Sequence, residues 1–318
     1  MSHNFLARIA LISLLSPLVG CSLSQGGSPG TFNGSDGEAI VLSDIDFDVE
    51  SRIRKFQPIA DYLGSKLTKA GISEGEVQVA QDVDELTGWM ASGEVDLYFD
   101  SVYPAMVVIE RSGAIPILRR WKDGVPEYNT FLIARRDSNF TDLASIQGKM
   151  VALQKPESTS GFMFPMVLML DAGLKPVEKA EPNHPVASDE VGYIFSGRDR
   201  NTIEWVLNGK VDVGAIDNQE FQELTDGERE QLVILAKTDV FPRQIVLASP
   251  ALEPKQLEAI KKVLIDMDES KQGREVLADF SDTAQFDQFP GGAEAAILQL
   301  QGAYNRLQTY LRQQQTQP

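Results

Sequence analysis

The chain contains one cysteine, Cys21, and two histidines, His3 and His184, among 318 residues. A single thiol forbids an internal disulfide. Together these counts remove most of the raw material for a histidine-based triad, a zinc site or a histidine general base. His184 falls in the proline-flanked Glu181-Pro182-Asn183-His184-Pro185, which reads as a loop. Positive charge is scarce as well: 29 Lys and Arg stand against 46 Asp and Glu, giving a formal net charge of -17. Nucleic acid and anionic membrane surfaces are therefore poor partners. The same charge repels an anionic ligand at long range, but screening confines that to about 8 Å at physiological salt, so a local cluster of donors can still hold one. The apolar run at the start, Ile9–Val19, is shorter than the ~20 residues a membrane-spanning helix needs.

What is present at the N-terminus reads as an export signal over residues 1–20, with His3 and Arg8 ahead of the apolar run. It ends in Leu18-Val19-Gly20-Cys21, which resembles the lipobox of bacterial lipoproteins, whose cysteine is acylated and becomes the new N-terminus. The competing reading is an ordinary soluble export signal with an incidental cysteine. Residues 21–38 are rich in Gly and Ser and read as a flexible tether reaching roughly 20–25 Å. The expected location is extracytoplasmic, in the periplasm or at the cell surface, with lipid attachment at Cys21.

Short apolar strands alternate with segments of helical periodicity through the remaining chain, which predicts an α/β fold with mainly parallel sheets. Two sets of strands are expected, one over residues 39–128 plus 244–318 and the other over 129–243. The chain crosses between them near Asn129 and near Arg243. This is the pattern of two hinged α/β lobes around an interlobe cleft, and open α/β sheets bind ligands outside the carboxyl ends of their strands.

The most informative stretch is Gln154-Lys155-Pro156-Glu157-Ser158-Thr159-Ser160-Gly161, between an apolar strand at Lys149–Leu153 and an apolar helix at about Gly161–Ala172. The first turn of a helix has backbone N–H groups without internal partners and a partial positive charge, which attract an oxyanion. Ser158, Thr159 and Ser160 add hydroxyl donors there, and Gly161 allows a close backbone approach. A plain N-cap is the alternative, but one hydroxyl suffices for that.

These residues resemble the extracytoplasmic solute-binding lipoproteins of phosphonate, phosphite and phosphate ABC importers. The resemblance runs from about Ile40 to Pro290 through Asp96-Leu97-Tyr98-Phe99, the Ser158–Phe162 run with Pro165, Gly209-Lys210-Val211-Asp212 and Gly273-Arg274. It implies a type II periplasmic-binding fold and capture of a small oxyanion by lobe closure. It further implies a membrane permease as partner, a monomer, no cofactor or metal, and no enzymatic activity. Ser158, Thr159 and Ser160 fall where the family holds phosphoryl oxygens, and Glu220 matches an acidic pocket residue. Where relatives that bind aminoalkyl phosphonates carry aromatic residues, this chain has Val83 and Asp100. A phosphonate-holding histidine aligns with either Arg198 or Asp199, and a carboxylate for the ligand amine aligns with Arg243, which favours a ligand without an amine. Asp100 is expected to cap the following helix, with neutralisation of an arginine or contact with a cationic part of the ligand as alternatives. Tyr98 and Tyr103 are candidates for the cleft wall, although aromatics at strand ends also serve the core. Arg198 and Arg243 can equally form surface ion pairs. A subunit read by a membrane signalling kinase and a binding protein for another small anion are the alternative functions.

Overall fold

The computed structural model describes residues 37–315. The export signal, Cys21 and most of the tether lie outside the described residues. The first strand, β1 (Glu38–Ile45), begins one residue inside the segment expected to be tether, and its Glu38 N–H donates to Gly71 O at 2.8 Å. There follow α1 (Val49–Lys66), β2 (Ile72–Ala80), α2 (Val83–Ser92), β3 (Leu97–Asp100), α3 (Val102–Ser112) and β4 (Ile115–Arg120). The chain continues through β5 (Glu127–Tyr128), β6 (Thr130–Arg135) and β7 (Met150–Leu153). A π-helical turn at Thr159–Met163 leads into α4 (Phe164–Asp171), then β8 (Pro176–Glu178), β9 (Val191–Phe195), α5 (Asp199–Leu207) and β10 (Val213–Asp217). Next come α6 (Asn218–Glu223), α7 (Asp226–Glu230), β11 (Leu232–Lys237), β12 (Phe241–Pro242) and β13 (Gln244–Ala248). The chain closes with α8 (Pro254–Ile265), α9 (Lys271–Asp279), β14 (Phe286–Asp287) and α10 (Ala293–Gln315).

The strands form two six-stranded sheets, ordered β14-β4-β13-β3-β1-β2 and β11-β6-β10-β7-β9-β8. The second is mainly parallel, as expected, whereas the first has more antiparallel than parallel pairings. In the first, β1 runs parallel to β2 and β3, whereas β13 and β14 pair antiparallel with their neighbours. In the second, β7, β8, β9 and β10 are parallel to their neighbours within that group, and β6 is antiparallel to both β10 and β11. The departure has a topological cause. β6 and β13 are the strands by which the chain enters one sheet and re-enters the other, and neither follows a right-handed βαβ crossover in its own sheet. The two connecting segments pair with each other as a short antiparallel ribbon, with Tyr128 opposite Phe241 and Glu127 opposite Pro242.

Local chemistry explains the elements that frame the site. Asp48 caps α1 by accepting the Ser51 N–H at 3.1 Å, and α1 lays Phe56, Ile59, Ala60 and Leu63 against the first sheet. Pro58 lies inside α1, which runs on through it. One apolar cluster joins α1, α8 and α9 to one face of the first sheet, and a second fills the outer side of the second sheet under α5. The third gathers residues from both sheets with α3, α4 and α10. α10 belongs to both groups of strands: Tyr304 donates to Glu110 of α3, Arg306 pairs with Asp171 of α4, and Tyr310 donates to Pro176 O.

The contact between α1 and β2 turns on Gly75, where an added Cβ would sit 2.0 Å from Ala60 O. Gly75→Ala should therefore lower stability by about 1–3 kcal/mol or more. Gly88→Ala, on the exposed side of α2 with no atom within 4 Å of the new methyl, should raise it by up to about 1 kcal/mol. Chemical denaturation of both variants checks the pair, and a neutral Gly75→Ala would contradict the packing described.

Candidate functional site

β7 delivers the chain to the turn at residues 154–158, and Ser158 opens the helical segment that follows. Ser158 Oγ accepts the Gly161 N–H at 2.9 Å, and Ser158 O accepts the Met163 N–H at 3.0 Å. Thr159 Oγ1 accepts the backbone N–H of Tyr103, in the first turn of α3, at 2.8 Å. In both hydroxyls a lone pair is used by the scaffold, so the O–H proton remains to be donated elsewhere. The third hydroxyl, of Ser160, is hydrogen-bonded to the Tyr128 phenol, and the Ser160 carbonyl accepts from Thr130 Oγ1 at 3.0 Å. All three residues are buried. Among the described residues, no acceptor takes the N–H of Thr159 or Ser160.

These three residues line a cavity of about 460 Å³ together with Asp100, Ser101 and Pro104 from the first sheet and α3. From the second sheet it takes Gln154, Lys155, Glu157, Asp199, Asp217, Gln219, Glu220 and Glu223; Lys122, Asp123, Tyr128, Arg243 and Gln244 complete the wall near the connecting ribbon. The starts of α3 and of the 159–171 helical segment thus meet at one spot. Both bring positive dipole ends, and the second adds the open N–H groups of Thr159 and Ser160.

Arg243 lies over the Tyr128 ring, 4.7 Å from its centroid, and donates to Asp123 at 2.8 Å. Burial penalises its charge, but Tyr128, Asp217 and Asp123 outweigh that and hold it protonated. Two buried atoms in this wall have no hydrogen-bond partner among the described residues: the donor Arg243 Nε and the acceptor Gln219 Oε1. Leaving a buried polar group unmatched costs about 1–3 kcal/mol, so the wall presents one donor and one acceptor to whatever enters.

Facing them is a group of carboxylates. Asp217 caps α6 by accepting the N–H groups of Gln219 and Glu220 at 2.9 and 3.0 Å. Burial, with Asp199 and Asp217 adding repulsion, pushes Glu220 up to about 7. Burial and Asp217 push Asp199 up to about 6, although Gln154 Nε2 donates to it.

The expected site residues are partly brought together. Ser158, Thr159, Ser160, Glu220, Asp100, Asp199 and Arg243 line this cavity. Tyr98 and Tyr103 instead line an adjoining cavity of about 700 Å³. Arg198 lines neither cavity and is exposed at the start of α5, whereas the adjacent Asp199 lines the first. Gly161 lines neither cavity, because its missing side chain makes room for Gln154, whose Cβ would lie 2.4 Å from a Cβ at that position. Asp100 does not cap α3. Its carboxylate accepts from the Tyr98 hydroxyl at 2.5 Å and from the Ser101 N–H at 2.6 Å, one residue short of the helix. Gln154 opens the stretch singled out in the sequence but was given no role there, and Tyr128, Asp217 and Gln219 were not named. Asp217 ends an apolar strand and precedes a helical turn, which is the signal that could have found it.

With this geometry in place, comparison with known proteins is decisive. The family profile described as "ABC transporter, phosphonate, periplasmic substrate-binding protein" matches residues 46–289. The chain belongs to this family. It is therefore an extracytoplasmic substrate-binding protein of an ABC transporter, a class that binds a small ligand and works with a membrane permease. The Phosphate-import protein PhnD of Mycolicibacterium smegmatis is 29% identical over 268 residues, covering 81% of this chain and 80% of that one. Among solved structures, XAC2383 from Xanthomonas citri, seen with chloride and with ATP, superposes with a TM-score of 0.77 at 24% identity, over 85% of this chain and 98–99% of that one. PhnD1 from Prochlorococcus marinus, in complex with methylphosphonate, gives a TM-score of 0.58 at 16% identity, over 85% and 98% of the two chains. The fold is the type II periplasmic-binding fold. Among the described residues, no helix is long and apolar enough to cross a membrane.

The raised carboxyls make stability depend on pH. Glu220 and Asp199 titrate above their ordinary values of 4.5 and 3.8, so their protonated forms stabilise the fold at acid pH, and that contribution is lost as pH rises through about 6 to 7. The melting temperature of the ligand-free protein should fall between pH 5 and pH 8. Glu220→Gln should flatten the fall and leave the protein more stable than wild type at pH 8; an unchanged slope would show that Glu220 titrates normally.

Proposed function

We propose that this family member captures a phosphorus oxyanion (phosphate, phosphite or a small phosphonate) by closing two lobes, residues 39–128 plus 244–318 and 129–243, about the β5/β12 ribbon. Ser158, Thr159 and Ser160 hold the oxyanion. The observation that carries this reading is that the Ser158 and Thr159 hydroxyls are each fixed as acceptors by backbone N–H groups, leaving their protons for a guest in the cavity. The unpaired Arg243 Nε offers a further charged donor, and Gln219 Oε1 can accept the proton of a partly protonated oxyanion. Glu220, pushed up to about 7, can present a protonated carboxyl to another oxygen. The names of the mycobacterial phosphate-import relative and of the methylphosphonate-bound neighbour point to the same ligand class.

Hydrogen bonds to a charged group contribute about 1.5–3 kcal/mol each, and micromolar affinity requires about 8 kcal/mol net. Four or five such contacts, less the cost of immobilising ligand and lobes, reach that value. In this reading the protein is a monomer and not an enzyme: the Ser158 and Thr159 hydroxyls are hydrogen-bonded to backbone N–H groups, and among the described residues no hydrogen bond joins either to a side-chain base. Acylation of Cys21, which lies outside the described residues, would hold it at the membrane.

Isothermal titration of the mature protein with phosphate, phosphite and methylphosphonate tests the reading. At least one should bind, and Ser158→Ala or Thr159→Val should weaken it by about 10- to 100-fold, the equivalent of one charged hydrogen bond. Absence of binding by all three, or full affinity in both variants, would refute it.

A further inference from the structure

The hydroxyl-lined cavity shares Asp100, Pro104, Lys122, Lys155, Glu157 and Gln244 with the adjoining cavity of about 700 Å³. A bare oxyanion leaves that second space unused, and its charges are arranged unevenly. Its carboxylates are already engaged: Asp44 pairs with Arg52 at 2.9 Å, Glu157 with Lys155 at 3.0 Å, and Asp100 accepts from Tyr98 and Ser101. Two of its cations are not. Among the described residues, no carboxylate lies within ion-pair distance of Lys55 or Arg120, and Lys122 reaches only Asp123, at 3.6 Å, which Arg243 already holds.

Arg120 is the most telling of these. Its guanidinium is buried and donates to neutral acceptors only: Thr283 Oγ1 at 2.9 Å, Gln244 Oε1 at 2.7 Å and Phe280 O at 2.5 Å. It stacks on the Phe280 ring at 3.7 Å from the centroid. Three of its five N–H protons are used in this way. A buried cation without a counter-ion is unfavourable unless something anionic comes to it. Burial and the neighbouring cations lower the pKa of both Lys55 and Lys122, and the opposing pull of Asp123 on both and of Asp44 on Lys55 does not make up for it. Phe56, Val83 and Val107 add apolar surface to the wall, and its remaining cation, Arg111, is paired with Asp84.

We propose that the ligand is a two-headed phosphoryl compound, whose phosphoryl group sits at the Ser158–Ser160 hydroxyls while a second anionic group, carboxylate or phosphate, sits against Lys55, Arg120 and Lys122. The proposal rests on the oxyanion-capture reading above and names the class of solute that reaches from one cavity into the other. A carbon or oxygen bridge between the two anions runs past Pro104 and Gln244, which line both cavities.

Titration of the mature protein with methylphosphonate, phosphonoacetate and pyrophosphate provides the test. At least one two-headed ligand should bind tenfold or more tightly than methylphosphonate. Lys55→Met should remove that advantage while leaving methylphosphonate affinity unchanged, and Lys55→Arg should keep most of it. Lys66→Met, which removes one charge from the same helix at a position that lines neither cavity, should change neither ligand class. The proposal is overturned if both two-headed ligands bind no better than methylphosphonate, or if Lys55→Met weakens all ligands alike or none. If no ligand of any kind binds, the capture reading fails and takes the proposal with it, whereas binding of methylphosphonate alone defeats only the second subsite.

Discussion

The hydrogen bond from the Tyr103 backbone N–H to Thr159 Oγ1 crosses from the helix that follows the first sheet's third strand to the turn that follows the second sheet's β7. It satisfies an N–H that the start of α3 would otherwise leave open, and in doing so it orients the hydroxyl that a ligand would meet. Ser158 does the same within its own turn through the Gly161 N–H. The geometry is possible because Gly161 has no side chain, so the turn can close against Gln154, and because α10 packs on α3 and α4 together. Tyr103 lies 6.1 Å from Phe162 and 6.2 Å from Tyr304, which makes the floor beneath the hydroxyls a shared aromatic contact. Preorganised donors of this kind require little reordering on binding, and that is where affinity for a small anion is gained or lost.

Electrostatics in the site run against the global charge of the chain. An excess of acidic residues covers the protein, yet the cavities place Arg120, Lys122 and Arg243 near the connecting ribbon and Lys55 on α1. The carboxyls opposite, Asp199 and Glu220, are pushed above their ordinary values by burial and by Asp217, with Asp199 adding repulsion at Glu220. A protonated carboxyl is a donor and an ionised one repels an anion, so the acidic side of the cavity can accept a negative guest that bulk charge would turn away. Local desolvation decides the matter here because screening removes most of the long-range field.

Much of the architecture could be read from residue pattern. The alternation of apolar strands with 3.6-residue periodicity identified the α/β class and placed the strand and helix on either side of the hydroxyl run within a few residues, since each element has one side to bury. The hydroxyl run was legible because three consecutive Ser and Thr residues exceed what one helix start can use. The assignments that depended on a single side chain's direction were less secure. Arg198 and Asp199 are adjacent, and only the pitch of α5 decides that the aspartate enters the cavity while the arginine faces solvent. Gly161 was read as room for a ligand, but the room is taken by Gln154. The mixed strand directions were missed because a strand's residues look alike whether its neighbour runs with it or against it.

By itself, the sequence determined the fold class, the shortage of nucleophile and metal chemistry, and the presence of a hydroxyl-rich helix start, because these follow from composition and short-range spacing. Tertiary structure alone decided which distant groups meet. Tyr103 and Thr159 are 56 positions apart, Arg120 and Thr283 are 163 apart, and their contacts depend on where two sheets and a returning chain come to rest. Hydrogen bonding and desolvation act over a few ångströms, so the chemistry of this site is set by packing that no local pattern encodes.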